Sequence, residues 1–200
     1  KIVTNDRVTF ALNMLSELVT LFPVCSAAFF ESPAPSIYAS GSALDYVLRY
    51  LLPTCNVRET SLGYPQPRQP ESISEASREL FRALCFCSEN SHDRAVASLS
   101  CAVSSELLRA KPRASATKSF ALCITQGLPA RLLRALVQSS VADSLALCLE
   151  SLNLNDQGMN EVVSSVLRAL EVLGKAALSI CPQNEKSSID DDDASPGPSR

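Results

Sequence analysis

The side chains able to do chemistry are few and scattered. His92 is the only histidine in the 200-residue chain, and it stands next to Asp93. A lone imidazole with no ligand cluster set by spacing reads as a plain surface histidine at a helix start. Cys85 and Cys87 are two residues apart, not the three-residue step of a redox or zinc Cys-x-x-Cys pair. On a helix they point to different faces, and no second Cys/His pair lies near to complete a metal site, so they read as buried packing. Glu75 and Glu79 read as solvated charge on a helix surface. No glycine-rich phosphate loop, nucleophile elbow or metalloprotease motif occurs. The expectation is a chain with no catalytic residue, no cofactor and no metal.

Two stretches could bind partners without chemistry. Pro67-Arg68-Gln69-Pro70 matches a Pro-x-x-Pro docking peptide, but such matches are common by chance and a flexible connector is the favoured reading. Asp190, Asp191, Asp192 and Asp193, followed by Ala-Ser-Pro-Gly-Pro-Ser, form a candidate acidic arm for basic partners. Four charges in a segment so poor in apolar residues also describe a disordered, solubilising linker, which is the simpler reading.

The hydrophobic fraction is 46 % and the charged fraction 20 %, an ordinary globular balance that can bury a real core. A net charge of −3 argues against a general nucleic-acid binder, which needs a basic face. The eight cysteines fall mostly inside apolar helical runs, where a free thiol behaves as a small hydrophobe. With no signal-peptide pattern and no Asn-x-Ser/Thr acceptor, a reducing compartment, cytoplasmic or nuclear, is expected. The longest apolar stretch, Val19 to Phe30, is interrupted by Pro23 and Ser26 and is too short to span a bilayer. The chain opens at Lys1 rather than Met, which reads as a segment of something longer.

The elements that must carry these residues are helices. From Met159 to Ile180, Met159, Val162, Val163, Val166, Leu167, Leu170, Leu173, Ala177 and Ile180 fall on one stripe. Asn160, Glu161, Ser164, Ser165, Arg168, Glu171 and Lys175 fall on the other side. Glu171 and Lys175 have the spacing and order of a helix ion pair. Upstream, a helix from about Asp6 to Phe22 is expected to turn Leu12, Leu15, Leu18, Leu21 and Phe22 inward. Pro23 either stops it or starts a short helix through Phe29 and Phe30. Ser42 reads as an N-cap for a helix ended by Pro53, and Ser72 with Glu75 as a capping box. Asn90 or Ser91 is expected to cap the next helix, which carries Val96, Leu99, Val103 and Leu107 inward. A helix from Ala114 to Gln126 ends at Gly127, Pro129 opens another, Val141 to Leu149 form a short one, and Asn155 or Asp156 caps the last. Tyr46 and Tyr50, four apart, can form a small surface patch, with core contact the favoured reading.

About nine helices with short connections give an all-α fold, either an armadillo/HEAT-like solenoid or an irregular bundle. Residues 1–182 form the helical-repeat segment, with a proline-rich loop at 53–71, and residues 183–200 the acidic Ser-Pro linker. Most of these helices are too short to hold their shape alone and need neighbours.

Three stretches carry a resemblance. They are Ala11-Leu-Asn-Met-Leu-Ser-Glu-Leu-Val19, Ser42-Ala-Leu-Asp-Tyr-Val-Leu-Arg-Tyr-Leu-Leu-Pro53, and the pair Val141–Leu152 and Met159–Leu173. In order and spacing they resemble the helical-repeat scaffold of the giant, ring-forming HECT-type E3 ubiquitin ligases that also carry UBA and WWE modules. The resemblance spans residues 8–180, and an acidic stretch follows such segments in that family. The insert at 59–70 and the cysteine-rich helix around Cys85 depart from it. It implies a non-catalytic scaffold that recruits protein substrates and packs against neighbouring repeats of the same parent chain. E2-ubiquitin would be engaged only through a distant catalytic domain, so none of the eight cysteines inherits the thioester role. The alternative is a stand-alone helical-repeat adaptor. A small helical enzyme would instead need a polar pocket around His92 or Cys85.

Overall fold

The computed structural model describes residues 2–32, 41–53, 71–87 and 89–180. The expected proline-rich connector and acidic tail, including Pro67, Pro70 and Asp190 to Asp193, lie outside the described residues. Among the described residues there are nine α-helices and no strand, so the chain is all-α as its 3.6-residue patterning predicts.

The first helix, α1, runs Ile2–Leu21, and Pro23 separates it from α2, Val24–Glu31. The proline sits at the N-cap of α2, where its missing N–H costs nothing. Helix α3, Ala43–Tyr46, opens on a reciprocal capping box: the Asp45 backbone N–H donates to Ser42 Oγ at 3.2 Å, and the Ser42 N–H donates to Asp45 Oδ2 at 2.8 Å. It runs directly into a π-helical turn, Val47–Leu51. Helix α4, Glu71–Cys87, starts one residue before Ser72, so the expected capping box is not its N-terminus. Ser72 Oγ instead accepts from Thr9 Oγ1 of α1 at 3.4 Å. Helix α5, Glu89–Leu107, also begins early and takes Asn90 and Ser91 into its first turn.

Helices α6 (Ala114–Thr125), α7 (Ala130–Gln138) and α8 (Val141–Glu150) follow with short turns. Gly127 closes α6 in the left-handed conformation at φ 79°. Between α7 and α8, Ser140 adopts φ 58°, which makes it the one non-glycine with positive φ among the described residues. Helix α9, Met159–Leu178, is capped by Gly158 at φ 88°, not by Asn155 or Asp156. Those two residues close a polar turn, in which Asn153 Nδ2 donates to Asp156 Oδ1 at 3.0 Å. The chain therefore needs a further turn before it can enter the helix.

Neighbour relations order these helices into two rows. In one row α1 packs on α4, α4 touches α6, and α6 lies along α9. In the other, α2 meets α3, α3 and the π turn meet α5, and α5 packs on α7 and α8. Helix α5 is the hub, touching elements of both rows, and Ala95, Leu99, Ala102 and Val103 on it are almost wholly buried. Helix α4 buries Ile73, Ala76, Leu80, Phe81 and Leu84, the stripe its sequence predicts, and leaves Glu75, Glu79 and Arg82 in water. Buried hydroxyls on the same helix are satisfied: Ser74 Oγ donates across to the Leu52 carbonyl and Ser77 Oγ within the helix to that of Ile73, each at 2.7 Å.

Two stripes differ from expectation. On α9 the buried line is Met159, Val162, Val166, Ala169 and Leu173, with Ser165 also buried; Leu167 and Ile180 are exposed. Ser165 is tolerated inside because its hydroxyl donates to the Glu161 carbonyl at 2.7 Å. On α1 only Leu12 of the five expected core residues is buried, together with Val19; Leu15, Leu18, Leu21 and Phe22 face outward. The reason is packing partners: α4 covers one side of α1 along its length, and no described helix covers the opposite side. The expected Glu171–Lys175 ion pair forms at 2.6 Å.

Burial of this kind sets a sharp contrast. Leu99→Ala is expected to destabilise the chain by about 2–5 kcal/mol, because it opens a cavity in the hub helix. Leu18→Ala is expected to cost less than about 1 kcal/mol, being a change at a solvent-facing position. Urea unfolding midpoints of the two variants measure the difference, and equal losses would mean that the outward face of α1 is packed.

Candidate functional site

Of the positions singled out for chemistry, the structure brings His92 to the backbone of Cys85. His92 is not a surface residue: it is 8 % exposed, in the first turns of α5. Its Nε2 lies 2.7 Å from the carbonyl oxygen of Cys85. A carbonyl can only accept, so Nε2 carries the proton. Cys85 belongs to the last turn of α4, where carbonyls lack an intrahelical partner. His92 supplies one from the neighbouring helix and so ties the end of α4 to the start of α5. Its Nδ1 is buried and has no partner among the described residues. The sequence missed this because an imidazole seven residues beyond a helical cysteine has no motif; the contact exists only once the two helices fold back.

The thiols divide by burial. Cys85 is fully buried, as its apolar surroundings predict, and burial pushes its thiol well above the ordinary range, with Cys123 and Cys87 adding to the effect. Burial raises Cys123 to about 12 and Cys148 to about 11. Such thiols are poor nucleophiles and poor metal ligands at neutral pH. Cys25 and Cys87 are half-buried, and Cys101 is exposed with the Arg49 guanidinium donating to its sulfur at 3.0 Å. Among the described residues no group of three or more His, Cys, Asp or Glu is placed to hold a metal ion.

A groove of about 510 Å³ lies between α2 and α5, lined by Pro23, Ser26, Phe30, Cys87, Ser91 and Arg94 among others. At its floor Ser26 Oγ and Ser91 Oγ stand 3.4 Å apart. At its rim Arg94 and Glu31 pair at 3.7 Å, both largely exposed. Ser26 already donates to the Pro23 carbonyl at 2.7 Å. Among the described residues no hydrogen bond joins either serine to the His92 ring, whose Nε2 is held on the Cys85 carbonyl. The groove is a seam between two helices.

The strongest polar device in the fold was not foreseen. Glu106 sits in the last turn of α5, its side chain 3 % exposed. Its Oε1 accepts the backbone N–H of Arg113 at 2.7 Å, and its Oε2 accepts Arg113 Nη2 at 2.8 Å; Arg113 Nε bridges both oxygens at 3.1 and 3.2 Å. Arg113 is the N-cap residue of α6. One carboxylate thus closes the turn between α5 and α6 through a fork-on-fork contact. Arg109 adds a longer contact at 3.7 Å. A signal was present in the sequence: a carboxylate near a helix C-terminus opposes the helix dipole and needs a compensating cation.

Surface contacts complete the picture. Lys118 of α6 pairs with Glu161 of α9 at 2.6 Å, and the hydrogen bond to the ammonium holds the Glu161 carboxyl below its ordinary range. Tyr46 and Tyr50 pack on each other with ring centroids 5.4 Å apart, and Tyr50 is exposed, so the pair is a surface feature and not a purely core contact. Among the described residues no single helix is long and apolar enough to cross a membrane. Comparison with protein-family models, with curated proteins and with solved structures finds no match.

Removing Glu106 breaks a nearly buried ion pair and strands the Arg113 N–H. Glu106→Ala is therefore expected to cost about 3 kcal/mol, whereas Arg109→Ala, at a half-exposed partner, is expected to cost less than about 1 kcal/mol. Chemical denaturation of both variants reads the difference. Thiol exposure gives a second measurement. Brief alkylation of the native chain at neutral pH, followed by peptide mass spectrometry, is expected to label Cys101 ahead of Cys85, Cys123 and Cys148, which react only on unfolding.

Proposed function

We propose that this chain is a non-catalytic scaffold segment of a large HECT-type E3 ubiquitin ligase, an armadillo/HEAT-like stretch of solenoid that shapes the surface recruiting protein substrates. The observation that carries the architectural part is the two-row order of the helices, in which α1, α4, α6 and α9 neighbour one another in succession. Successive helices stacked side by side bury a continuous core, as in a repeat array, with α5 bridging the two rows. The ligase part rests on the resemblance of 11–19, 42–53 and 141–173 to the helical-repeat scaffold of that family. The reaction of the parent is ubiquitin transfer from an E2 through an enzyme thioester to a substrate lysine. This segment contributes no group to it. Its deeply buried thiols and its committed histidine suit a spacer that works by contact. The compartment proposed is cytoplasmic or nuclear.

Deleting the segment from the parent protein tests the proposal. Substrate ubiquitination is expected to fall at least tenfold while the ubiquitin thioester still forms on the catalytic domain. Unchanged substrate ubiquitination would overturn it. A parent chain that forms no ubiquitin thioester would favour the stand-alone adaptor.

A further inference from the structure

Helix α1 carries a second stripe on the side turned away from α4. Leu12 and Val19 are buried on the side that α4 covers. Arg7, Phe10, Met14, Glu17 and Leu21 stand on the opposite side at alternating steps of three and four residues, and all five are exposed. That is the seven-residue spacing with which one helix seats another along a single seam. Phe10, Met14 and Leu21 are 66, 52 and 69 % exposed, and Leu18 beside them is 42 % exposed. These four present roughly 400 Å² of apolar surface, an ordinary size for one patch on a monomer. The two charges within the stripe are what set it apart.

Arg7 and Glu17 lie about 15 Å apart along the helix, too far to pair with each other. Among the described residues neither makes an ion pair. Two α1 helices laid face to face must therefore deal with both charges. In a parallel pair each stripe position meets its own copy, which sets Arg7 on Arg7 and Glu17 on Glu17, and opposed like charges cost affinity. In an antiparallel pair the positions reached by a three-residue step meet those reached by a four-residue step. One register then places Arg7 of each copy against Glu17 of the other, and Phe10 of each against Met14 of the other. Sliding by seven residues in either direction presses Glu17 onto Met14 or Arg7 onto Phe10, and a charge is covered without a partner. Charge complementarity thus selects both the orientation and the register.

We propose that α1 pairs with α1 of a second copy of this chain, antiparallel and two-fold symmetric, through Arg7, Phe10, Met14, Glu17 and Leu21. The same patch serves both copies, so the contact closes on itself and gives a dimer, not a filament. Two Arg7–Glu17 pairs flank a central cluster of Phe10 and Met14 from each copy. Helix α1 ends at Leu21, which limits the seam to about four turns. Its apolar area is about half of the ~800 Å² that each partner gives to a standard interface, so the pairing is weak and reversible. The scaffold reading does not supply this partner, and the two stand independently.

The test mixes isotope-labelled and unlabelled copies of the full-length protein, each with a photoreactive side chain at Phe10. A crosslink that joins a labelled peptide to an unlabelled one reports contact between copies. Such mixed crosslinks are expected to the stretch around Met14, at a yield at least tenfold above that of a probe at exposed Glu75 on α4. Arg7→Glu and Glu17→Arg should each lower the yield at least fivefold. The two changes together should restore it to within twofold of the original. Both positions are exposed, so circular dichroism is expected to show unchanged helix content. Crosslinks confined to one copy or made to another protein would overturn the inference. So would mixed crosslinks that ignore the single charge reversals, or a double variant no better than the singles. None of these outcomes bears on whether the parent forms a ubiquitin thioester.

Discussion

The arrangement turns on how Glu106 ends helix α5. A carboxylate taken almost wholly out of water must find cations and N–H donors, and it finds both in Arg113. The contact sets the angle at which the chain leaves α5 and enters α6. Every later neighbour of α5 depends on that angle, because α7 and α8 reach the hub helix only after α6 has been laid across. The hydrophobic effect supplies the driving force but has no direction. The fork between Glu106 and Arg113 supplies direction.

The other polar contacts inside the array follow the same pattern. His92 ends α4 by meeting an orphan carbonyl, and Ser74 does so for Leu52 at the end of the π turn. Each sits where one helix hands over to another. These two polar groups act as joints, whereas the buried Ser77 and Ser165 hydroxyls bond within their own helices, and the apolar stripes act as the surfaces between joints. Among the described residues this accounts for the buried histidine, and burial in the core accounts for the raised thiols.

Helix existence was legible in the sequence because it depends on local periodicity. The α4 stripe of Ile73, Ala76, Leu80, Phe81 and Leu84 is buried as read, and so are Leu132 and Leu136 on α7. What failed was anything decided by a distant partner. Leu15 and Leu18 have the pattern of core residues, but a pattern does not say which sides of a helix will have neighbours. The caps moved for a related reason: Ser72 and Ser91 have capping chemistry, yet tertiary contacts with Thr9 and Ser26 occupy them. His92 and Glu106 could not be assigned from spacing, since each acts seven residues away across a change of helix. The candidate acidic arm falls outside the described residues, and its role rests on composition alone.

Ser140 offers a different use. Its left-handed backbone forms the elbow between α7 and α8, a conformation that glycine, asparagine and aspartate tolerate and β-branched residues resist. A chain too diverged to align by overall identity would still be constrained there, and again where a glutamate precedes an arginine by seven positions near a helix end. Those two constraints, at a fixed separation along the chain, form a backbone-derived fingerprint that can recognise kin when similarity of side chains has faded.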